Sequence, residues 1–199
     1  RIDGRWVAET PAGDFAAPVV VNAAGAWCDV IAGLAGAAPI GLVPKRRTAI
    51  TFDPPVDVEI DGWPQVVDID EEFYFKPDAG RIMASPADET PSPPCDAQPE
   101  ELDIAITVDR IERATCFEVR RVVHSWAGLR SFVADKTLVA GFDEAAEGFF
   151  WLAGQGGYGI MTSPAMSRAT AGLITARSLP ADVAEHGLTE ADLSPGRLR

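Results

Sequence analysis

The stretch FFWLAGQGGYGIMTSPAM, residues 149–166, sets G-x-G-x-x-G at Gly154, Gly156 and Gly159 between an apolar run and a helix-like segment. A dinucleotide fingerprint needs a strand before, a helix after, a second parallel strand, and an acid about 20 residues on for the ribose. The strand and helix are present, but ITARSLP carries no acid where one is needed and no convincing strand follows, so the dinucleotide reading is rejected. What remains is a tight strand-to-helix turn. Gly154, Gly156, Gly157 and Gly159 remove side chains where something comes close, with Thr162 and Ser163 expected as caps and Pro164 in the first turn of a helix from Ser163 to Ala176. Either the glycines let the helix pack tightly on its strand, or a ligand sits over the turn. In the second case the helix N-terminus contributes about 0.3–2 kcal/mol to a nearby anion.

Upstream, RWVAET and APVVVNAAG read as two short strands separated by a turn at Pro11 to Asp14, the second of the kind buried on both faces. Gly25 opens an Ala-rich helix, AWCDVIAGLAG, in which Trp27 and Cys28 read as core. Asn22 to Gly25 is then a strand-to-helix turn, the usual place for ligands in open α/β sheets. From Ile40 to about Val119 the texture changes to isolated strands and Pro-rich turns, with a hairpin around KPDAGR. An acidic helix there presents Ile104, Val108, Ile111 and Thr115 on one face. After Val119 the strands VVHSWAGLRSFV, KTLVAGF and GFFWLAG lead back to the glycine turn, and the polar, Pro-marked tail from Leu179 reads as a frayed end. The expected class is α/β with α+β: a sheet-and-helix domain in residues 1–40 and 120–178, interrupted by an antiparallel-sheet domain at 41–119, with a tail at 179–199.

The 199 residues are 47% hydrophobic, enough for one or two domains with a real core. Seventeen Lys and Arg against thirty Asp and Glu give a formal charge of −13, which argues against nucleic acid and anionic lipid as partners. Three cysteines without C-x-x-C spacing and two distant histidines suggest neither a disulfide framework nor a metal site, and fit a reducing cytoplasm. The least polar stretch, Val19 to Val43, is interrupted by Asn22, Asp29 and Pro39, a poor pattern for a membrane span. Arg1 opens directly into strand-like sequence, as if the chain began inside a longer protein.

Four ordered motifs, VVVNAAGAWCD, YFKPDAGRIMASPADE, HSWAGLRSFVADKTLVAGF and GQGGYGIMTSPAM, together resemble the C-terminal half of the FAD-dependent D-amino-acid oxidase and dehydrogenase family, nearest to D-arginine dehydrogenase and glycine oxidase types. The likeness extends to about Ala176. It implies that the two flanking segments are part of an FAD-binding domain, that the middle block is the substrate domain, and that the N-terminal Rossmann unit is absent. It implies FAD contacts at Ala24, Gly25, Gly128, Gly154, Gln155, Gly156, Gly157, Tyr158, Gly159 and Ile160, with the helix terminus stabilising the anionic reduced flavin. It further implies a substrate pocket in which Arg130 and Arg47 grip the amino-acid carboxylate, Tyr74 lines the wall and the Gly128 backbone lies near the amine. A planar guanidinium suits that task because it binds a carboxylate with two parallel hydrogen bonds and stays charged.

Taken alone, these residues carry different weight. Arg47 in PKRRTAI reads as a solvated strand edge, and Tyr74 between Phe73 and Phe75 reads as sheet packing. Arg130 stands in an otherwise apolar strand, between Leu129 and Phe132, where an unpaired charge would be costly. Relatives of the sarcosine oxidase type attach flavin through a cysteine just after this region; here Ser131 and Phe132 follow, so noncovalent FAD is expected. The D-arginine dehydrogenase type has a polar residue where this chain has Met161. The implied reaction is oxidation of a D-amino acid or related amine, with hydride passing from Cα to flavin and the imine hydrolysing in water. No residue of the chain is needed as a general base, and the chain alone is expected to be inactive and to self-associate through exposed strands. The alternative is a noncatalytic domain that binds a carboxylate ligand or a protein partner through Arg47 and Arg130.

Overall fold

The computed structural model describes all residues from Arg1 to Arg199. In chain order it forms β1 (Trp6–Thr10), β2 (Gly13–Ala17) and β3 (Val20–Asn22), then a 3-10 turn at Gly25–Trp27 leading into α1 (Cys28–Ala35). The next elements are β4 (Val43–Phe52), β5 (Val66–Val67), β6 (Tyr74–Asp78), β7 (Arg81–Ser85), β8 (Thr90–Pro91), α2 (Glu101–Ala114) and β9 (Val122–Phe132). β10 (Val139–Phe142), β11 (Phe149–Ala153), α3 (Gly159–Thr175), α4 (Ala181–Ala184), α5 (Glu190–Leu193) and a 3-10 turn at Pro195–Leu198 complete the chain. Two compact units result, one from Arg1–Pro44 with Arg130–Arg199, the other from Lys45–Leu129. None of the helices is long and apolar enough to cross a membrane.

The first unit is built on a sheet of order β10-β11-β3, with β11 antiparallel to β10 and parallel to β3. Successive side chains of a strand point to opposite faces. Accordingly Phe149 and Trp151 pack in one cluster with Cys28 and Ala32 of α1, while Phe150 packs in another with Met166, Ala169 and Leu173 of α3. A strand clothed by helices on both faces has no polar positions, which is why FFWLA reads as a continuous apolar run.

The run APVVVN is broken between β2 and β3, and Val21 is 40% exposed, so this stretch is not buried on both faces. Cys28 lies in the core, where burial chiefly pushes its thiol up to about 11, but Trp27 is exposed. The tail is not frayed. Leu193 and Pro195 are buried, Thr189 and Asp192 form a reciprocal capping box, and Arg197 pairs with Asp135 at 2.8 Å. Gly141 and Gly172 make room for it: a Cβ on Gly141 would stand 2.8 Å from Pro195 Cδ, and one on Gly172 2.8 Å from Pro180 Cδ.

The second unit is an antiparallel sheet of order β5-β6-β7-β4-β8, with β9 also pairing β4. The hairpin between β6 and β7 turns at Ala79 and Gly80, both with positive φ (50° and 77°), the geometry that matches strand twist in two-residue connections. Helix α2 lays Ile104, Val108 and Ile111 on a cluster containing Ile50, Phe52, Phe75, Ile82 and Phe117. Thr115 stands just past the helix end, its hydroxyl donating to the Ile111 carbonyl at 2.7 Å, so it is a terminus residue and not part of that face.

Candidate functional site

In the first unit β11 runs into the turn that leads to α3. Gly154 and Gly156 have φ of +67° and +55°, backbone that L side chains rarely adopt. The Gly156 N–H donates to the Ser131 carbonyl at 2.9 Å, tying the turn to the end of β9. A Cβ on Gly154 would meet Val133 and Val139 at 3.4 Å; one on Gly156 would stand 2.9 Å from Phe132 Cε1, and one on Gly157 2.8 Å from Arg130 Nη1. These three glycines therefore admit the protein's own side chains, which is the packing explanation of the motif. At Gly157 the side chain admitted is the half-buried Arg130 guanidinium. A Cβ on Gly159 would stand 3.2 Å from Gln155 Cβ, and Gln155 Nε2 donates to the Ala153 carbonyl at 3.3 Å. Gly25 is open by contrast, with φ +57° and nothing within 4 Å of a built Cβ, next to Ala24, whose N–H donates to Asn22 Oδ1 at 3.4 Å.

α3 starts at Gly159, four residues earlier than Ser163, and Thr162 and Ser163 do not cap it. The Thr162 hydroxyl donates to the Tyr158 carbonyl at 2.9 Å and the Ser163 hydroxyl to the Ile160 carbonyl at 2.8 Å. Pro164, inside the helix, has no N–H to give Ile160, and the Ser163 hydroxyl occupies that acceptor instead. The N-cap residue Tyr158 makes no side-chain cap bond, no acid lies in the first turn, and Tyr158, Ile160 and Met161 are exposed. The first-turn N–H groups thus present uncapped partial positive charge at the surface, a setting that attracts anions.

In the second unit the basic run that opens β4 is not a solvated edge. β4 is interior to its sheet, and the side chains of Arg46 and Arg47 are only 12% and 13% exposed. Lys45 Nζ lies 2.7 Å from Glu89, Arg46 Nη2 lies 2.9 Å from Asp103, and Arg46 also pairs with Glu100. The Arg47 guanidinium stands 5.9 Å over the Tyr74 ring, so these two residues are brought together. Arg47 Nε donates to the Asp88 carbonyl at 2.8 Å, and Nη2 lies 3.6 Å from Glu89. Gly128 is an exposed position of β9 with nothing within 4 Å of a built Cβ, leaving its backbone approachable. Sequence reasoning missed Asp88, and an acid among the many of a Pro-rich loop gave no signal to find it.

A family model described as FAD dependent oxidoreductase, abbreviated DAO, matches residues 1–173. FAD-dependent oxidoreductase domain-containing protein 1 of Xenopus laevis is 30% identical over 176 residues, covering 78% of this chain and 34% of the relative. Among solved structures, L-proline dehydrogenase from P. horikoshii superposes with a TM-score of 0.77 at 23% identity, over 96% of this chain and 50% of that one. Glycine oxidase from Geobacillus kaustophilus gives 0.72 at 24% identity, over 90% and 47%. The chain thus spans about a third of that curated relative and about half of those solved chains. At this identity the solved structures establish a shared fold, and the family match establishes the rest: the chain belongs to the DAO family of FAD-dependent oxidoreductases.

Proposed function

We propose that this chain contributes the substrate-reading residues and part of the flavin site to an oxidoreductase acting on a D-amino acid or related amine, with FAD held noncovalently. Residues 1–40 and 120–178 act as the FAD-binding part and 41–119 as the substrate part, within the cytoplasm. The observation that carries the reading is the Arg130 guanidinium, lodged against Gly157 at the head of an uncapped helix. Such a cation can grip a carboxylate bidentately, each charged hydrogen bond contributing about 1.5–3 kcal/mol. Arg47, over the Tyr74 ring, offers a second guanidinium of the same chemistry.

The residues fit the cofactor on two counts. The open, left-handed Gly25 turn at the carboxyl end of a parallel strand leaves its backbone approachable where such sheets bind ligands. The first-turn N–H groups of α3 suit a group that becomes negative when reduced. When bound, FAD supplies the acceptor for the hydride lost from the substrate carbon. Arg130 orients that carbon by fixing the carboxylate, and the exposed Gly128 backbone can come close to the amine. Ser131 and Phe132, where a cysteine would be required for attachment, support noncovalent binding.

The test is Arg130→Met in the intact enzyme. KM for the amino acid is expected to rise by about tenfold or more, the equivalent of one lost charged hydrogen bond. Unchanged saturation kinetics would rule out the assigned contact.

A further inference from the structure

We infer that Asp88 is a positioning residue that fixes Arg47 for the substrate carboxylate; the inference rests on the proposal that Arg47 reads that group. It starts from an interruption in the sheet. β4 pairs with β8 at Arg46↔Thr90 and with β7 at Ile50↔Ala84, so residues 47–49 lie opposite residues 85–89, three against five. The surplus bulges out of the ladder, and bulges of this kind re-aim side chains.

Within the bulge the Asp88 carboxylate replaces the missing ladder acceptor. Oδ1 accepts the Thr48 N–H at 2.7 Å and Oδ2 the Thr48 hydroxyl at 3.1 Å. Thr48 is fully buried and the Asp88 side chain is only 8% exposed, so water does not compete effectively for these bonds. One residue back along β4, Arg47 Nε donates to the Asp88 backbone carbonyl at 2.8 Å. Asp88 therefore holds the Thr48 main chain through its side chain and the neighbouring guanidinium through its main chain.

The bulge is itself pinned. Ala87 adopts φ +53°, and its N–H donates to Ser85 Oγ at 3.1 Å, while Arg110 Nη1 donates to the Pro86 carbonyl at 2.8 Å. Glu89 lies closer to Lys45, at 2.7 Å, than to Arg47 Nη2, at 3.6 Å. The bulge thus grips Arg47 firmly at Nε and only loosely at the nitrogen that would turn toward a ligand.

The experiment measures propionate binding to the FAD-loaded enzyme by calorimetry, for Arg47→Met, Asp88→Ala, Asp88→Asn, Thr48→Val and the Arg47→Met/Asp88→Ala pair. Arg47→Met and Asp88→Ala are each expected to weaken binding about tenfold, with the double variant no weaker than Arg47→Met alone. Asp88→Asn, whose amide oxygen can still accept the Thr48 N–H, should stay within about threefold of the parent. Should Asp88→Ala fail to fold, Thr48→Val supplies the same comparison with a smaller loss. Additive losses, or wild-type binding in both Asp88→Ala and Thr48→Val, would overturn the positioning role while leaving Arg47 in place. Wild-type binding in Arg47→Met would instead sink the underlying assignment.

Discussion

Gly157 and Arg130 are coupled by a single close approach: the atom that any other residue would place at Cβ falls 2.8 Å from the guanidinium. Gly157→Ala is expected to push Arg130 aside and weaken carboxylate binding by about three- to tenfold, near 1 kcal/mol, measured by titration of the loaded enzyme. Unaltered affinity would show that the guanidinium does not depend on that seat. Asp143 is the residue whose titration should be visible in stability. Burial would raise its pKa, but Arg199 Nη2 at 2.7 Å, Trp151 Nε1 at 2.9 Å and the N–H groups of Ala146 and Ala145 outweigh that and hold it at about 2, below the ordinary 3.8. A depressed folded-state pKa stabilises above the unfolded value and is lost as pH falls through the folded one. Denaturant unfolding should therefore lose about 2 kcal/mol between roughly pH 5 and pH 1, and Asp143→Asn should remove that component. Of these residues, Arg130 was legible in sequence because a charge stood out among apolar neighbours. Asp143 was not, since the donors that ionise it come from positions such as Trp151 and Arg199.

Elements were legible where one local pattern decided them. The β6–β7 hairpin followed from alternation around KPDAGR, although its turn places Ala79 where glycine is preferred. Ala79→Gly should relieve left-handed strain of about 1–2 kcal/mol while adding about 0.5–1 kcal/mol of backbone entropy cost. A small rise in the denaturation midpoint is expected, and a fall would mean that the turn is not of this type. α3 was misread at its start because Thr162, Ser163 and Pro164 imitate a capped helix entry. The imitation fails because the Ser163 hydroxyl satisfies the carbonyl that Pro164 abandons, letting the helix continue through the proline. The tail was misread for a different reason. Its polarity is genuine, but Leu193, Pro195 and Arg197 find partners more than fifty positions away in the chain, and local composition carries no trace of them.

At the scale of the whole molecule, cofactor retention is a question of magnitude. The helix terminus contributes about 0.3–2 kcal/mol to an anion, whereas micromolar affinity requires about 8 kcal/mol. The 199-residue chain purified alone is therefore expected to carry far less than one flavin per chain, and stoichiometric flavin absorbance would contradict this. The change of texture between flanks and middle, the apolar β11 and the glycine turn were determined by the sequence itself, because burial on two faces, strand alternation and tight turns each restrict residue type locally. Tertiary structure alone decided that the glycines at 154, 156 and 157 admit Val133, Phe132 and Arg130, and that Arg47 lies half-buried under the grip of Asp88. Those outcomes depend on which distant side chain arrives at a given backbone, and close packing couples such positions without leaving a periodic mark on either one.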